Sequence, residues 1–150
     1  MNKYFGVKLI EAEPMKLGAY NIFKGWTIPE DEDPLKEGYK VKYSDNYISW
    51  SPKDTFEEAY RAIDSLTFGL AIEALKKGMK VARKGWNGKG MFVYYIPAHR
   101  YKSTTPIAKK EFGYDVPYNA YLAIKNVDRS VSTWVPSVND VLSEDWVIVE

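Results

Sequence analysis

Two tryptophans stand at turns whose flanking residues could hold a ligand. Lys84-Gly85-Trp86-Asn87-Gly88 sets one indole where a strand pattern meets a glycine turn, with Arg83 and Lys89 close by. Thr133-Trp134-Val135-Pro136 sets another where a strand pattern runs into a helix start. Aromatic plates beside cations, amides and free backbone N–H groups suit a flat, charged, hydrogen-bonding ligand, and a nucleotide is the first class that answers to this. In the first turn Gly85, Gly88 and Gly90 let the backbone approach a ligand without a Cβ in the way, so its amides can form an anion nest, and Asn87 adds a donor and an acceptor. The same residues would equally build a hairpin in which Asn87-Gly88 supplies the turn and Trp86 packs on the core. In the second, Pro136 precedes Ser137, Asn139 and Asp140, polar groups that either meet ribose or phosphate or only satisfy the helix backbone. A purine between two indole faces would gain about 1–3 kcal/mol per stack.

Bond-breaking chemistry has little to work with. His99 is the single histidine, and no serine or acid stands at a triad or metal-ligand spacing from it. Glu30-Asp31-Glu32-Asp33 is a solvated charge run rather than an apolar pocket that would raise a carboxyl pKa. The glycines at 85, 88 and 90 match neither the phosphate-loop nor the dinucleotide fingerprint. The residues therefore predict a binding protein, not an enzyme, without catalytic residues, metal or cofactor.

Charge and composition narrow the partners. Lys+Arg 21 against Asp+Glu 20 leaves a net charge of +1, so no global field draws the chain to DNA, RNA or an anionic membrane. No apolar run approaches the roughly 20 residues of a membrane span, and Met1-Asn2-Lys3-Tyr4-Phe5-Gly6 lacks a signal-peptide core. The absence of cysteine excludes disulfides and thiolate sites and suits a reducing cytoplasm. Hydrophobic residues at 45% over 150 positions suffice for a core, but Trp 5, Tyr 12 and Phe 6 exceed its needs. Some aromatic surface should meet a ligand or a second subunit.

The elements that must position these residues follow from periodicity. Residues 4–13 read as a strand stopped by Pro14, and Met15, Tyr20 and Phe23 as a short helix ending near Gly25. Residues 27–34 form an acidic, proline-bearing loop. Residues 39–43 and 47–50 alternate around Ser44-Asp45-Asn46 as a hairpin, and Ser51-Pro52 caps a helix carrying Phe56, Ala59, Tyr60 and Ile63 on one face. A second unit starts at Thr67 with a helical stripe of Phe68, Ala71, Ile72 and Leu75, ended by Gly78. Strands at 79–83 and 91–96 flank the glycine turn, residues 101–118 read as a long polar loop region with only weak strand signals, and residues 121–127 and 131–134 pair across Asp128-Arg129-Ser130. A short helix over 137–142 and a strand over 146–149 close the chain. The fold class is α+β, small antiparallel sheets with short helices, organised as an extension over 1–64 and a ligand-binding domain over 65–150. Lys24-Gly25-Trp26 against Lys84-Gly85-Trp86, Ser49-Trp50-Ser51-Pro52 against Thr133-Trp134-Val135-Pro136, and Met15-Lys16-Leu17-Gly18 against Leu66-Thr67-Phe68-Gly69 recur in the same order, which suggests two related units as readily as chance recurrence of tryptophan.

A longer run carries a resemblance. Leu66-Thr67-Phe68-Gly69-Leu70-Ala71, then Ala74-Leu75-Lys76-Lys77-Gly78-Met79-Lys80-Val81-Ala82-Arg83-Lys84-Gly85-Trp86-Asn87-Gly88-Lys89-Gly90-Met91-Phe92, resembles the phage-encoded Thoeris anti-defense 2-like family. Tyr118-Asn119-Ala120 and Trp134-Val135-Pro136-Ser137, with Asp140, Leu142, Asp145 and Trp146, are similar to that family's closing motif. The resemblance covers residues 65–150, and the 1–64 extension is similar to one in related phage proteins. It implies a sponge acting in the cytoplasm of the infected bacterium, which binds cyclic ADP-ribose isomers made by TIR-domain defence enzymes without cleaving them. It further implies a homo-oligomer, typically a tetramer, with pockets at subunit interfaces, and cyclic dinucleotides as a second ligand class for some members. Carried over by motif, Trp86 and Trp134 would stack on the base, Asn87 and Asp140 would bond sugar or base, and Arg83 or Lys89 would meet the pyrophosphate; Gly88, Asn119, Ser137 and Asn139 complete the expected site. Val138 and Tyr121 stand where the family often has glutamine and histidine. The other functional class open to these residues is a protein-interaction module that uses the aromatic surface against a host or phage protein.

Overall fold

Asn46 takes a left-handed conformation (φ 67°), and Asp45 Oδ1 accepts the Tyr47 N–H at 2.9 Å, so the polar triplet turns the chain tightly between two strands. The computed structural model, which describes residues 1–150, builds on such local signals in two units, Met1–Arg61 and Ala62–Glu150.

The first unit runs β1 (Glu11–Pro14), α1 (Leu17–Phe23), β2 (Gly38–Lys42), β3 (Ile48–Pro52) and α2 (Lys53–Ala59). Its sheet has the order β1-β2-β3, antiparallel throughout. The strand expected over 4–13 begins only at Glu11, because that residue pairs Lys42, the last of β2, and residues 1–10 find no ladder to join. Trp50 lies across Gly38, where a Cβ would strike the ring, and its indole N–H donates to the Met15 carbonyl at 2.7 Å. The helix after β3 departs from expectation. Pro52 itself holds the N-cap position with no side-chain bond, and Tyr60 turns extended, so Ile63 falls outside the helix. Phe56 stacks on Tyr39 of β2 at 4.0 Å and on Tyr60 at 5.0 Å, which fixes the short helix on the sheet by aromatic contact rather than by capping.

The second unit begins with α3 (Phe68–Lys76), entered through Thr67, whose hydroxyl accepts the Leu70 N–H at 3.3 Å. Ala71, Ala74 and Leu75 are its buried face, at the three- and four-residue spacing of a helix. Gly78, at φ +85, closes it: its N–H reaches Leu75 O at 2.9 Å, and Met79 N–H reaches Ala74 O at 3.1 Å. β4 (Lys80–Arg83) and β5 (Phe92–Ile96) follow on either side of the glycine turn. Residues 101–118, expected as loop, instead fold: β6 (His99–Lys102) pairs β7 (Asp115–Tyr118), and α4 (Pro106–Phe112) sits between them. Thr105 caps that helix, Pro106 occupies its first turn and Gly113 (φ +79) leaves it. This start-and-stop punctuation was present in the sequence but enclosed only one helical turn or two of weakly apolar residues. β8 (Tyr121–Lys125), β9 (Val131–Trp134), α5 (Val138–Leu142) and β10 (Trp146–Val149) complete the chain.

Five strands form one antiparallel sheet of order β10-β4-β5-β8-β9. Val81 pairs Val93, Val93 pairs Ile124 and Val81 pairs Ile148, so one face carries a row of aliphatic side chains that α3 covers with Ala71, Ala74 and Leu75, joined by Leu66 just before the helix. β9 and β10 are opposite edges of this sheet, yet the rings of Trp134 and Trp146 lie 5.9 Å apart. The sheet therefore coils until its two edges share one aromatic cluster, in the sense set by strand twist.

Lys24-Gly25-Trp26 and Lys84-Gly85-Trp86 have different backbones. Gly25 (φ +72) ends a helix, as Gly78 does, whereas Gly85 follows a strand. That sequence match is one of residues and not of conformation, while Trp50-x-Pro52 and Trp134-x-Pro136 both lead from strand to helix.

Trp146 is fully buried, the largest side chain of the core. Trp146→Ala should cost about 3–5 kcal/mol, read as a lowered urea midpoint of the C-terminal transition; a midpoint equal to wild type would contradict its place at the centre of this core.

Candidate functional site

The candidate site is the place where β4, α5 and β10 meet, and one arginine organises it. Arg83 is two residues beyond Val81 and so projects from the same, core-covered face of β4. A guanidinium there must be paired. Its Nε donates to Asp145 Oδ1 at 2.9 Å and its Nη1 to Asp140 Oδ1 at 3.0 Å, with the three side chains 19%, 32% and 13% exposed for Arg83, Asp145 and Asp140. The second oxygen of each carboxylate is engaged as well. Asp145 Oδ2 accepts the Gly85 N–H at 3.1 Å, and Asp140 Oδ2 accepts the Ser137 N–H and hydroxyl, each at 2.8 Å. The Ser137 hydroxyl in turn accepts the Asp140 N–H at 3.1 Å, a reciprocal capping box that starts α5.

This network rearranges the expected roles. The Gly85 N–H, expected to help form an anion nest, is taken by the chain's own Asp145 carboxylate rather than by an external anion. A Cβ at Gly85 would sit 3.2 Å from Asp145 Oδ2, a tight contact that the carboxylate would have to yield to. At Gly88 the space a Cβ would take is filled by Met91 and by Val127 Cγ2, so the missing side chain serves packing and not backbone approach to a ligand. Arg83 and Ser137 both donate to Asp140. Arg83 is a bracket between segments some sixty positions apart in the chain, and one guanidinium with two carboxylates leaves this trio with a net negative charge.

The tryptophans meet in the same region. Trp146 is the hub: Trp86 stands edge-on to it at 5.5 Å and 79°, Trp134 at 5.9 Å and 78°, and Phe68 of α3 at 5.5 Å. Its indole N–H donates to the Asp140 carbonyl at 2.9 Å, which ties the aromatic hub to the arginine bracket. Trp86 and Trp134 touch each other at 6.2 Å and 67°. Rings in that edge-to-face contact leave no slot in which a purine could lie between them, so within one chain each indole can offer a ligand only its half-open outer surface. The pairing of the two turns was expected; their direct contact was not.

The remaining expected residues are exposed and uncommitted. Asn87 and Lys89 lie in the turn between β4 and β5, Asn139 on α5, and Asn119 in the link into β8, whose Leu122 pairs Trp134. Asp145 and Trp146, which hold the site together, were not among the expected site residues. The signal for Asp145 was Arg83 itself, since an arginine in register with Val81 on a covered strand face demands a carboxylate. Lys84 Nζ lies 3.7 Å from Asp64, a surface pair of little weight. His99 is exposed beside Tyr101 and touches none of this. No group of three or more His, Asp or Glu side chains is arranged to hold a metal ion.

The bracket sets a pH dependence. The Arg83 hydrogen bond holds the Asp145 carboxyl below its usual value, assisted by the Gly85 N–H. Burial pushes Asp140 up, but the Ser137 N–H and hydroxyl together with Arg83 outweigh it, and the net direction is down. The Arg83 guanidinium is held protonated more firmly by Asp145 first and Asp140 second. Groups with depressed folded pKa values contribute stability above the ordinary carboxylate value of 3.8 and lose it as pH falls below that value. Asp145→Asn should therefore lower the melting temperature clearly at pH 7 and much less at about pH 3; an equal difference at both would show that the charge of Asp145 is not what stabilises.

Comparison with known proteins agrees with the region just described. The sequence model of the Thoeris anti-defense 2-like domain matches residues 66–149, which contain α3, the five-stranded sheet, the arginine bracket and the aromatic hub. A curated Thoeris anti-defense 2 from Bacillus phage SP01 is 40% identical over 84 residues, 56% of this chain and 94% of that relative. A family match over more than half of the chain places this protein in the Thoeris anti-defense 2-like family of anti-defense proteins.

Proposed function

We propose that the protein opposes Thoeris defence by binding a cyclic ADP-ribose-type signalling nucleotide and holding it uncleaved, in the host cell a phage infects. The observation that carries this reading is the pair of half-open indoles, Trp86 and Trp134, fixed on a rigid hub beside exposed Asn87, Lys89, Asn119 and Asn139. Sequestration calls for slow release and no reacting group. The carboxylates nearest the indoles suit that, since Arg83 and the Ser137 and Gly85 N–H groups keep them ionised and poor proton donors at neutral pH.

The edge-to-face contact of the two indoles shapes the proposal. A base stacked on the outer surface of Trp86 or Trp134 keeps its second face in water unless another surface covers it, and a second copy of the chain is the covering surface we propose. Holding a signal at nanomolar level requires about −12 kcal/mol. Stacking at about 1–3 kcal/mol per base falls short, so charge-assisted bonds of about 1.5–3 kcal/mol each must add to it. With Arg83 occupied, Lys89 and Lys84 are the cations left to meet a pyrophosphate. Which isomer is preferred, and whether cyclic dinucleotides also bind, belongs to the same proposal.

Calorimetry with cyclic ADP-ribose isomers tests it. Trp86→Ala should weaken binding about 10–100-fold, the equivalent of one lost stack, and Asn87→Ala, an exposed change that leaves the core intact, should weaken it about tenfold. Ligand recovered after denaturing the complex should be intact. Absence of binding by the wild-type protein, or recovery of a hydrolysed product, would overturn the reading.

A further inference from the structure

The N-terminal unit contains a cleft of about 740 Å³ that lies outside the matched family domain, within the size range of small-molecule sites. Tyr20, Asn21, Lys24, Trp26, Glu32 and Tyr47 are among its lining residues. Trp26 is put there by the end of α1. Gly25 adopts φ +72, its N–H reaches Ile22 O at 2.9 Å, and Trp26 N–H reaches Asn21 O at 2.8 Å, the two bonds of a Schellman closure that throws the next side chain off the helix. The Trp26 indole then rests edge-on against Tyr20 at 6.1 Å and 82° yet stays 56% exposed. Lys24 Nζ stands over this ring, 5.3 Å from its centroid; with that flexible ammonium swung aside, an indole held by backbone geometry is a stacking platform.

Asn21 supplies selectivity. It is only 5% exposed, and its Nδ2 donates to Glu32 Oε1 at 2.8 Å. An ionised carboxylate only accepts, so this bond fixes which way the amide faces. One Nδ2 hydrogen and the Oδ1 acceptor remain for another partner, and no side-chain or backbone donor of the chain bonds to that oxygen. A carboxamide presenting one acceptor beside one donor matches the adenine edge, where the exocyclic amine donates and the ring nitrogen accepts. Lys24 and Glu32 cancel in charge, which disfavours a polyphosphate, and the acceptor oxygens of Glu32 suit sugar hydroxyls.

We propose that this cleft is an adenine-nucleoside site, with the base stacked on Trp26 and its amine edge read by Asn21. It is distinct from the Trp86–Trp134 region and does not depend on the function proposed there.

The test is titration of adenosine, into the millimolar range, into the full chain labelled with nitrogen-15, following the five indole N–H signals. Adenosine should shift the Trp26 signal saturably, and inosine, which carries a carbonyl in place of the amine, should bind at least about tenfold more weakly. Trp26→Ala, a change at an exposed position, should lower adenosine affinity at this cleft about tenfold or more, while His99→Ala, an exposed change outside both proposed sites, should leave it unchanged. No saturable shift at Trp26, equal binding of inosine, or undiminished binding in Trp26→Ala would each overturn the proposal. Adenosine binding lost in Trp86→Ala but kept in Trp26→Ala would also overturn it, and would leave the reading of the C-terminal unit standing.

Discussion

A guanidinium on a covered strand face constrains this protein more than any other group. Arg83 cannot stay on the core side of β4 without anionic partners, because an unpaired buried charge costs far more than one lost hydrogen bond. The partners come from α5 and from the residue before β10, 57 and 62 positions away in sequence. Meeting that requirement brings the C-terminal helix and strand back to the first turn of the domain. The capping box of α5 is part of the same arrangement, since one Asp140 oxygen starts the helix and the other pairs with Arg83.

The aromatic hub depends on this bracket in turn. Trp146 follows Asp145 directly, and its indole N–H is satisfied by the Asp140 carbonyl, so orienting the two aspartates orients the ring. Trp86 and Trp134 then pack edge-on against a fixed surface rather than against one another alone. The outcome is two indoles that cannot swing freely, and rigid aromatic surfaces lose little entropy when a ligand stacks on them. On the proposed function stability and recognition draw on the same residues, so substitutions at Arg83, Asp140 or Asp145 would act on a bound ligand through the positions of the tryptophans.

The N-terminal unit solves a smaller problem by different means. Its three-stranded sheet has few aliphatic residues to bury, and it relies on aromatic stacking of Tyr39, Phe56 and Tyr60 and on Trp50 laid across Gly38. A unit built from aromatic contacts leaves aromatic residues at its surface, and the cleft beside Trp26 is where these gather around polar groups.

Much of the architecture was legible in the residues. The hairpin at 39–50, the Thr67-to-Gly78 helix, the paired strands around the glycine turn, the Ser137 cap and the closing strand all follow from periodicity and local punctuation, which act within a few residues. The strand expected from residue 4, the reach of α2 to Ile63 and the loop expected over 101–118 were misread, because strand length depends on a partner and short helices on what they pack against. For the candidate site, the sequence by itself singled out the residues that meet there: indoles at turns, an arginine beside them and a capping serine, with exposed amides nearby. Only the tertiary structure decided that Asp145 takes the Gly85 N–H, that Met91 and Val127 fill the space at Gly88, that Arg83 and Asp140 hold each other, and that the two indoles touch. Apart from Met91, which is local to Gly88, those outcomes rest on contacts between segments some forty to sixty residues apart or on the coiling of a whole sheet, and residue type and local spacing do not encode which partner arrives first at a given hydrogen-bonding group.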